Sequence, residues 1–128
     1  MESLFIEGTK SSPAIAFNGA SGILEISGES YPENSYEFFQ PLITWLTRFS
    51  AHFKGSLVFN CRITYLNTGS TKSMMDIFDL FEERFRHGQE VSVNWFCDSD
   101  NDRAIETAEE FMEDVTFPFA IQPLDAPR

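Results

Sequence analysis

The sequence has few basic residues and no long apolar run. Of its 128 residues only nine are Lys or Arg, against 20 Asp and Glu, which gives a formal net charge of −11. A nucleic-acid partner is not expected, because its phosphates must be neutralised by Lys and Arg, and the charge favours protein partners. The apolar runs are too short to span a membrane. We therefore expect no signal peptide, no direct membrane insertion and a cytoplasmic protein.

Cysteine is also scarce, and the spacing of the two present matches no zinc-binding pattern. Cys61 and Cys97 lie inside or at the end of apolar, strand-like stretches. This placement favours two reduced thiols in the core, as is usual in the cytoplasm. No cofactor is predicted from them.

An acidic stretch at residues 98–102 provides only part of a metal site. Asp98, Asp100 and Asp102 alternate as in a calcium loop, but Arg103 stands where that loop requires glycine. The same aspartates resemble those of phosphate-transferring enzymes, yet no later Lys-and-Asp set completes such a site. We interpret the stretch as an acidic helix start that suits the helix dipole, and predict no metal.

What the sequence does contain is apolar periodicity. Apolar residues make up 42% of the chain and 14 residues are Phe, which suffices for a core without disulfide bonds. Alternating or continuous apolar stretches predict strands, and a three-to-four-residue repeat predicts helices. The predicted strands cover about 4–9, 14–18, 23–28, 56–66, 90–97 and 117–122, and the predicted helices about 34–53, 70–86 and 99–115.

These elements predict one α/β domain over residues 1–128, with a mixed β-sheet, the order βββ-α-β-α-β-α-β and helices packed on the sheet. Asn34 and Glu37 have the spacing of a capping pair for the first helix. Pro41 predicts a kink or restart within that helix. The tail at 123–128 is expected to be frayed. Trp45 and Tyr36 lie off the apolar stripe and are candidates for an exposed docking patch.

The junction "LNTGSTKS" between the fourth strand and the second helix contains more hydroxyl groups than a helix cap requires. Ser70 or Ser73 suffices as the cap, and Ser73 with Asp76 has the S-x-x-D spacing. Thr68 then has no structural duty, although it follows the carboxyl end of a central strand, where open α/β sheets usually hold their sites. A phosphoryl group on it would face free helix amides and add about −1.5 to −2 charges. The alternative is a polar loop with redundant caps.

Three stretches of the chain resemble the SiaC family of bacterial regulatory phosphoproteins. They are "SYPEN" at 30–34, "YLNTGS" at 65–70 and "VNWFCDSDND" at 93–102, and the resemblance spans nearly the whole chain. It implies a STAS-like fold related to anti-sigma factor antagonists, no enzymatic activity, and phosphorylation at Thr68. The loop around that threonine is then the expected docking surface, with Asn67, Gly69, Ser70, Thr71 and Lys72.

The resemblance also implies partners. A serine/threonine kinase of the histidine-kinase-like ATPase type would phosphorylate Thr68, and a PP2C-type phosphatase would remove the group. The unmodified form would bind and activate a diguanylate cyclase, which raises cyclic di-GMP and promotes biofilm formation. Two alternatives stay open: an anti-sigma factor antagonist in a partner-switching system, although Asn67 stands where antagonists carry an acid, and a metal-dependent phosphatase using Asp98 and Asp100.

Overall fold

A computed structural model describes residues 1–124, and it confirms the predicted mixed α/β class. The strands are β1 (Leu4–Ile6), β2 (Ala14–Phe17), β3 (Ile23–Ser30), β4 (Leu57–Leu66), β5 (Val91–Cys97) and β6 (Phe119–Pro123); the helices are α1 (Ser35–His52), α2 (Thr68–Arg86) and α3 (Asp102–Glu113). None of these helices is long and apolar enough to cross a membrane.

The six strands form one sheet in which spatial order equals chain order. β1, β2 and β3 pair antiparallel, and β3, β4, β5 and β6 pair parallel. Each parallel connection passes through a helix and advances one strand in the same direction. Because such crossovers are right-handed, α1, α2 and α3 lie on the same face of the sheet.

Side-chain burial along the central strands agrees with this one-sided arrangement. In β4, Phe59 and Cys61 point into the core with no exposed surface, whereas their neighbours Asn60 and Arg62 are only half-buried. The second face carries a row of amides across three strands. Asn94 donates to Asn60 over 3.0 Å, and Gln122 donates to Asn94 over 3.0 Å.

Aromatic rings fill the space between the sheet and the helices. Phe78 of α2 has ring centroids of Phe111 and Phe119 at 5.2 and 5.7 Å. Trp45 belongs to this packing, since it stacks on Phe49 at 4.9 Å and its indole N–H donates to the carbonyl of Glu2 over 2.9 Å. The prediction of Trp45 in an exposed patch is therefore wrong.

The other predicted docking aromatic and the cysteines lie as expected. Tyr36 is 73% exposed at the start of α1. Cys61 and Cys97 are buried and free of disulfide bonds. Burial raises the pKa of the Cys61 thiol to about 12, so this group stays protonated at neutral pH.

Two local expectations about chain ends and breaks are corrected. α1 is one continuous helix through Pro41, so no restart occurs there. β6 includes Pro123, and the N–H of Leu124 donates to the carbonyl of Cys97 over 3.1 Å, so these two residues of the expected frayed tail are paired. The rest of the predicted tail, 125–128, lies outside the described residues.

A buried arginine joins elements at the amino-terminal end of the parallel strands. Arg84 of α2 is only 3% exposed. Its guanidinium donates to the carbonyl of Ser50 over 3.2 Å and to the carbonyl of Gly55 over 2.8 Å. Burial lowers the pKa of this side chain, and its charge is stabilised by the carbonyl dipoles and by the nearby rings of Phe49 and Phe53.

Candidate functional site

The three sequence stretches that stood out meet at one edge of the sheet. Ser30 and Leu66, the last residues of β3 and β4, are paired neighbours, so "SYPEN" and "YLNTGS" leave the sheet side by side. The third stretch leaves β5, the next parallel strand, and leads into α3. The amino termini of all three helices therefore lie at the carboxyl edge of the parallel strands, the usual location of sites in such sheets.

Asn67 binds the first two stretches together. Its backbone N–H donates to Ser30 O over 2.9 Å, and its side-chain amide donates to Pro32 O over 3.4 Å. Its side-chain oxygen accepts from the N–H of Ser70 at 2.8 Å and from the hydroxyl of Ser35 at 3.3 Å. Asn67 is therefore the N-cap of α2, and its hydrogen bonds join the stretch at 65–70 to the stretch at 30–34.

This arrangement corrects the predicted start of α2. The helix begins at Thr68 instead of about Ser70, and the predicted caps Ser70 and Ser73 are both wrong, since Asn67 fills that position. Ser70 is fully buried, and its hydroxyl lies 2.7 Å from the hydroxyl of Ser30. Ser73 is also buried, with 7% of its surface exposed. Ser70 therefore joins the helix start to the end of β3 from inside.

Thr68 differs from the other hydroxyl groups at this helix start because it is exposed. Thr71 is half-buried, and its hydroxyl already donates to the carbonyl of Asn67 over 3.0 Å. Lys72 is exposed and its ammonium lies 3.9 Å from the carboxylate of Asp76. A modifying enzyme can thus reach Thr68 without unfolding the helix.

Gly69 lets the amino termini of α1 and α2 approach each other. A Cβ atom at this position would lie 2.6 Å from Oγ of Ser35 and 2.9 Å from its Cβ. Such contacts are too short for any side chain, so the bond between Ser35 and Asn67 depends on the absence of a side chain at position 69.

The electrostatics of the three helix starts are unequal. α1 carries Glu37 in its first turn and α3 carries Asp102, whereas α2 has no acid there. Within residues 1–124, the amides of Thr68 and Gly69 also have no hydrogen-bond partner. The positive end of the α2 dipole is therefore left without a balancing negative charge, which an anionic group on Thr68 would supply.

A cavity of about 330 Å³ lies between the starts of α2 and α3. Among its lining residues are Thr68 and Thr71 from α2, Trp95 from β5, and Asn101, Arg103 and Thr107 from the α3 region. Its size is at the lower end of the roughly 300–1,000 Å³ of small-molecule sites. It can therefore hold a phosphoryl group or a side chain of a partner.

Two exposed tyrosines beside Thr68 were missed from the sequence. Tyr31 and Tyr65 are 36% and 53% exposed, and their rings form an edge-to-face pair with centroids 6.0 Å apart. Tyr31 lies within the stretch at 30–34 and Tyr65 within the stretch at 65–70. Their presence in these two stretches was the sequence signal that could have identified them. Tyrosine is enriched among residues that dominate binding energy at protein interfaces.

The acidic stretch before α3 forms a turn and a helix cap. Asp98 accepts from the N–H of Asp100 at 2.9 Å, and Asn101 caps α3 by accepting from the N–H of Ala104 at 3.1 Å. Across residues 1–124, no group of three or more His, Cys, Asp or Glu side chains is placed to hold a metal ion.

Comparison with known proteins gives consistent results. The sequence model described as "SiaC family regulatory phosphoprotein" matches residues 6–124. An uncharacterised protein of Pseudomonas aeruginosa (strain UCBPP-PA14) is 50% identical over 125 residues, which cover 98% of this chain and 99% of the relative.

Solved structures agree with that match. SiaC of P. aeruginosa has a TM-score of 0.90 at 50% identity, covering 96% of this chain and 99% of the other. SiaC of P. aeruginosa in a crystal structure with the diguanylate cyclase SiaD, whose activator it is, has a TM-score of 0.90 at 51% identity, covering 94% and 98%.

Proposed function

This chain belongs to the SiaC family of regulatory phosphoproteins, and from that premise we propose that its unmodified form binds and activates a diguanylate cyclase. Its role is regulatory and not enzymatic. The main support for the cyclase is the half-identical SiaC of P. aeruginosa, which activates SiaD. The resulting rise in cyclic di-GMP would occur in the cytoplasm and promote biofilm formation.

Reversible phosphorylation of Thr68 is the proposed switch. A kinase of the histidine-kinase-like ATPase type transfers the γ-phosphoryl group of ATP to Oγ1 of Thr68, and ADP and the hydroxyl proton are released. A PP2C-type phosphatase hydrolyses the ester with water and releases phosphate. The observation that carries this proposal is that Thr68 is exposed at a helix start without an acid, while the neighbouring Ser70 is buried.

Phosphorylation would act on the docking surface next to Thr68. That proposed surface comprises Tyr31, Tyr65, Asn67, Gly69, Thr71 and Lys72, with Ser70 supporting it from within. The added group brings about −1.5 to −2 charges to this surface. If the cyclase loses 2–3 kcal/mol of binding free energy as a result, its affinity falls roughly 30- to 150-fold.

We also propose that the fold is STAS-like. The mixed sheet with three helices on one face supports this grouping. The alternative role, as an anti-sigma factor antagonist, gains no support from Asn67, since this residue caps α2 and contacts Ser35 and Pro32 as a neutral amide.

The test is activation of a purified diguanylate cyclase by Thr68→Ala, Thr68→Asp and phosphorylated wild-type protein. Thr68→Ala should activate like the wild type, whereas Thr68→Asp and the phosphorylated protein should need roughly 30- to 150-fold higher concentrations, with the aspartate weaker because it carries less charge. Thr44→Asp, at an exposed threonine within α1, is the matched control and should have no effect. Full activation by the phosphorylated protein would contradict the proposal.

A further inference from the structure

The cavity between α2 and α3 brings the proposed phosphorylation site and an arginine to one space. Resting on the proposed function, we propose that Arg103 receives the phosphoryl group of phosphorylated Thr68 and that this contact closes the cavity. Thr68 and Arg103 both line it, one from the first turn of each helix. A single covalent change would thereby connect two helix starts.

Arg103 is available for such a contact. Its side chain is exposed, and within residues 1–124 it takes part in no ion pair. Its hydrogen bond runs through the backbone, where its carbonyl accepts from the hydroxyl of Thr107 at 3.0 Å. The guanidinium can therefore turn to the cavity without breaking a contact.

The other cation close to Thr68 in the chain is less suitable. Lys72 lies one helical turn after Thr68, but it does not line the cavity and its ammonium is 3.9 Å from Asp76. An arginine also presents two parallel N–H donors to a phosphate, which a lysine does not. The geometry therefore favours Arg103 over Lys72.

The contact gives phosphorylation a steric effect in addition to its charge. In the unmodified protein the cavity of about 330 Å³ is open to a side chain of the partner. The phosphoryl group and the guanidinium would occupy the same space and tie α2 to α3. A partner that inserts a side chain there would then be excluded even at high salt, where surface charges are screened.

The experiment uses the full chain with phosphothreonine installed at position 68 during translation and follows the phosphoryl group by ³¹P NMR over pH. Its second pKa, ordinarily about 6, should be lower in this protein than in Arg103→Gln by about 0.5 unit, because a facing positive charge favours the dianion. Lys72→Gln, the matched control, should shift it by less than half as much. Lys72 and Asp76 on α2 and Asp102 on α3 are unchanged between wild type and Arg103→Gln, so the difference reports Arg103.

Equal ³¹P titrations of wild type and Arg103→Gln would overturn the proposed contact, as would a larger shift from Lys72→Gln. Arg103→Lys should recover only part of the shift, because lysine lacks the paired donors. None of these measurements involves a cyclase. The proposed function fails by a different result, namely full cyclase activation by the phosphorylated wild type.

Discussion

At the amino-terminal end of the parallel strands a buried arginine bonds to backbone carbonyls inside the protein, whereas at the carboxyl end several polar groups face solvent. At the first end Arg84 is 3% exposed and bonds to the carbonyls of Ser50 and Gly55, and the rings of Phe49 and Phe53 stack at 4.6 Å. At the second, Thr68 is exposed beside a cavity. Each end has a cavity, of about 280 and 330 Å³, and the two ends differ in that Arg84 is buried whereas Thr68 is exposed.

This difference assigns stability and recognition to different ends of the same helix. α2 begins at Thr68 and ends just after Arg84. A substitution at its end should therefore change the free energy of unfolding and spare cyclase activation, and an exposed substitution at its beginning should do the reverse. Asn67, which is half-buried and adjacent to Thr68, tests how complete the separation is.

The largest expected effect is on stability, from Arg84→Met. The change removes charged hydrogen bonds to Ser50 and Gly55, each worth about 1.5–3 kcal/mol, while keeping an apolar stem. We expect the free energy of unfolding to fall by about 3 kcal/mol, measured by urea denaturation. Cyclase activation at a temperature where the variant is fully folded should be unchanged. A loss below about 0.5 kcal/mol, or an altered activation curve of the folded variant, would break the comparison.

The next largest effect is on binding, from Tyr65→Ala. The ring is 53% exposed and pairs with Tyr31, so its removal should cost little stability. If it contacts the cyclase, we expect about 2 kcal/mol less binding free energy, which is roughly a 30-fold higher half-maximal concentration in the activation assay. Phe5→Ala, an aromatic that is 69% exposed on edge strand β1, is the control and should have no effect. If Tyr65→Ala and Phe5→Ala raised the half-maximal concentration equally, a docking site at Tyr65 would be contradicted.

Local patterns predicted the features of this site that depend on neighbours in sequence. The Asn34–Glu37 pair was correct because a cap acts over three residues, and the side chain of Asn34 accepts from the N–H of Glu37. The surplus of hydroxyl groups at the junction drew attention to Thr68, the resemblance to the SiaC family selected it as the phosphorylation site, and its exposure leaves that prediction open to test.

The errors come from contacts between distant residues. Asn67, Ser70 and Ser73 are all acceptable caps by residue type, and the choice of Asn67 is made by its bonds to Ser30 and Ser35, which no local window contains. Trp45 was misplaced because two of its partners, the ring of Phe17 and the carbonyl of Glu2, lie outside its own helix. The helices cover one face of the sheet because of the order of its strands. This order also depends on contacts between distant residues.

The smallest expected effect comes from Asn67→Ala, because Asn67 both stabilises the start of α2 and lies next to Thr68. The side chain caps α2 through Ser70 and also contacts Ser35 and Pro32, so its loss should lower the free energy of unfolding by about 1–2 kcal/mol. Asn101→Ala, which removes the single side-chain cap bond of α3 to Ala104, is the matched control and should cost about half as much. Asn67→Ala should also weaken cyclase activation a few fold, because it loosens the loop that presents Thr68. An Asn67→Ala variant with wild-type stability and activation would mean that the buried hydroxyls of Ser30 and Ser70 and the backbone hydrogen bond from residue 67 to Ser30 suffice to hold the two stretches together.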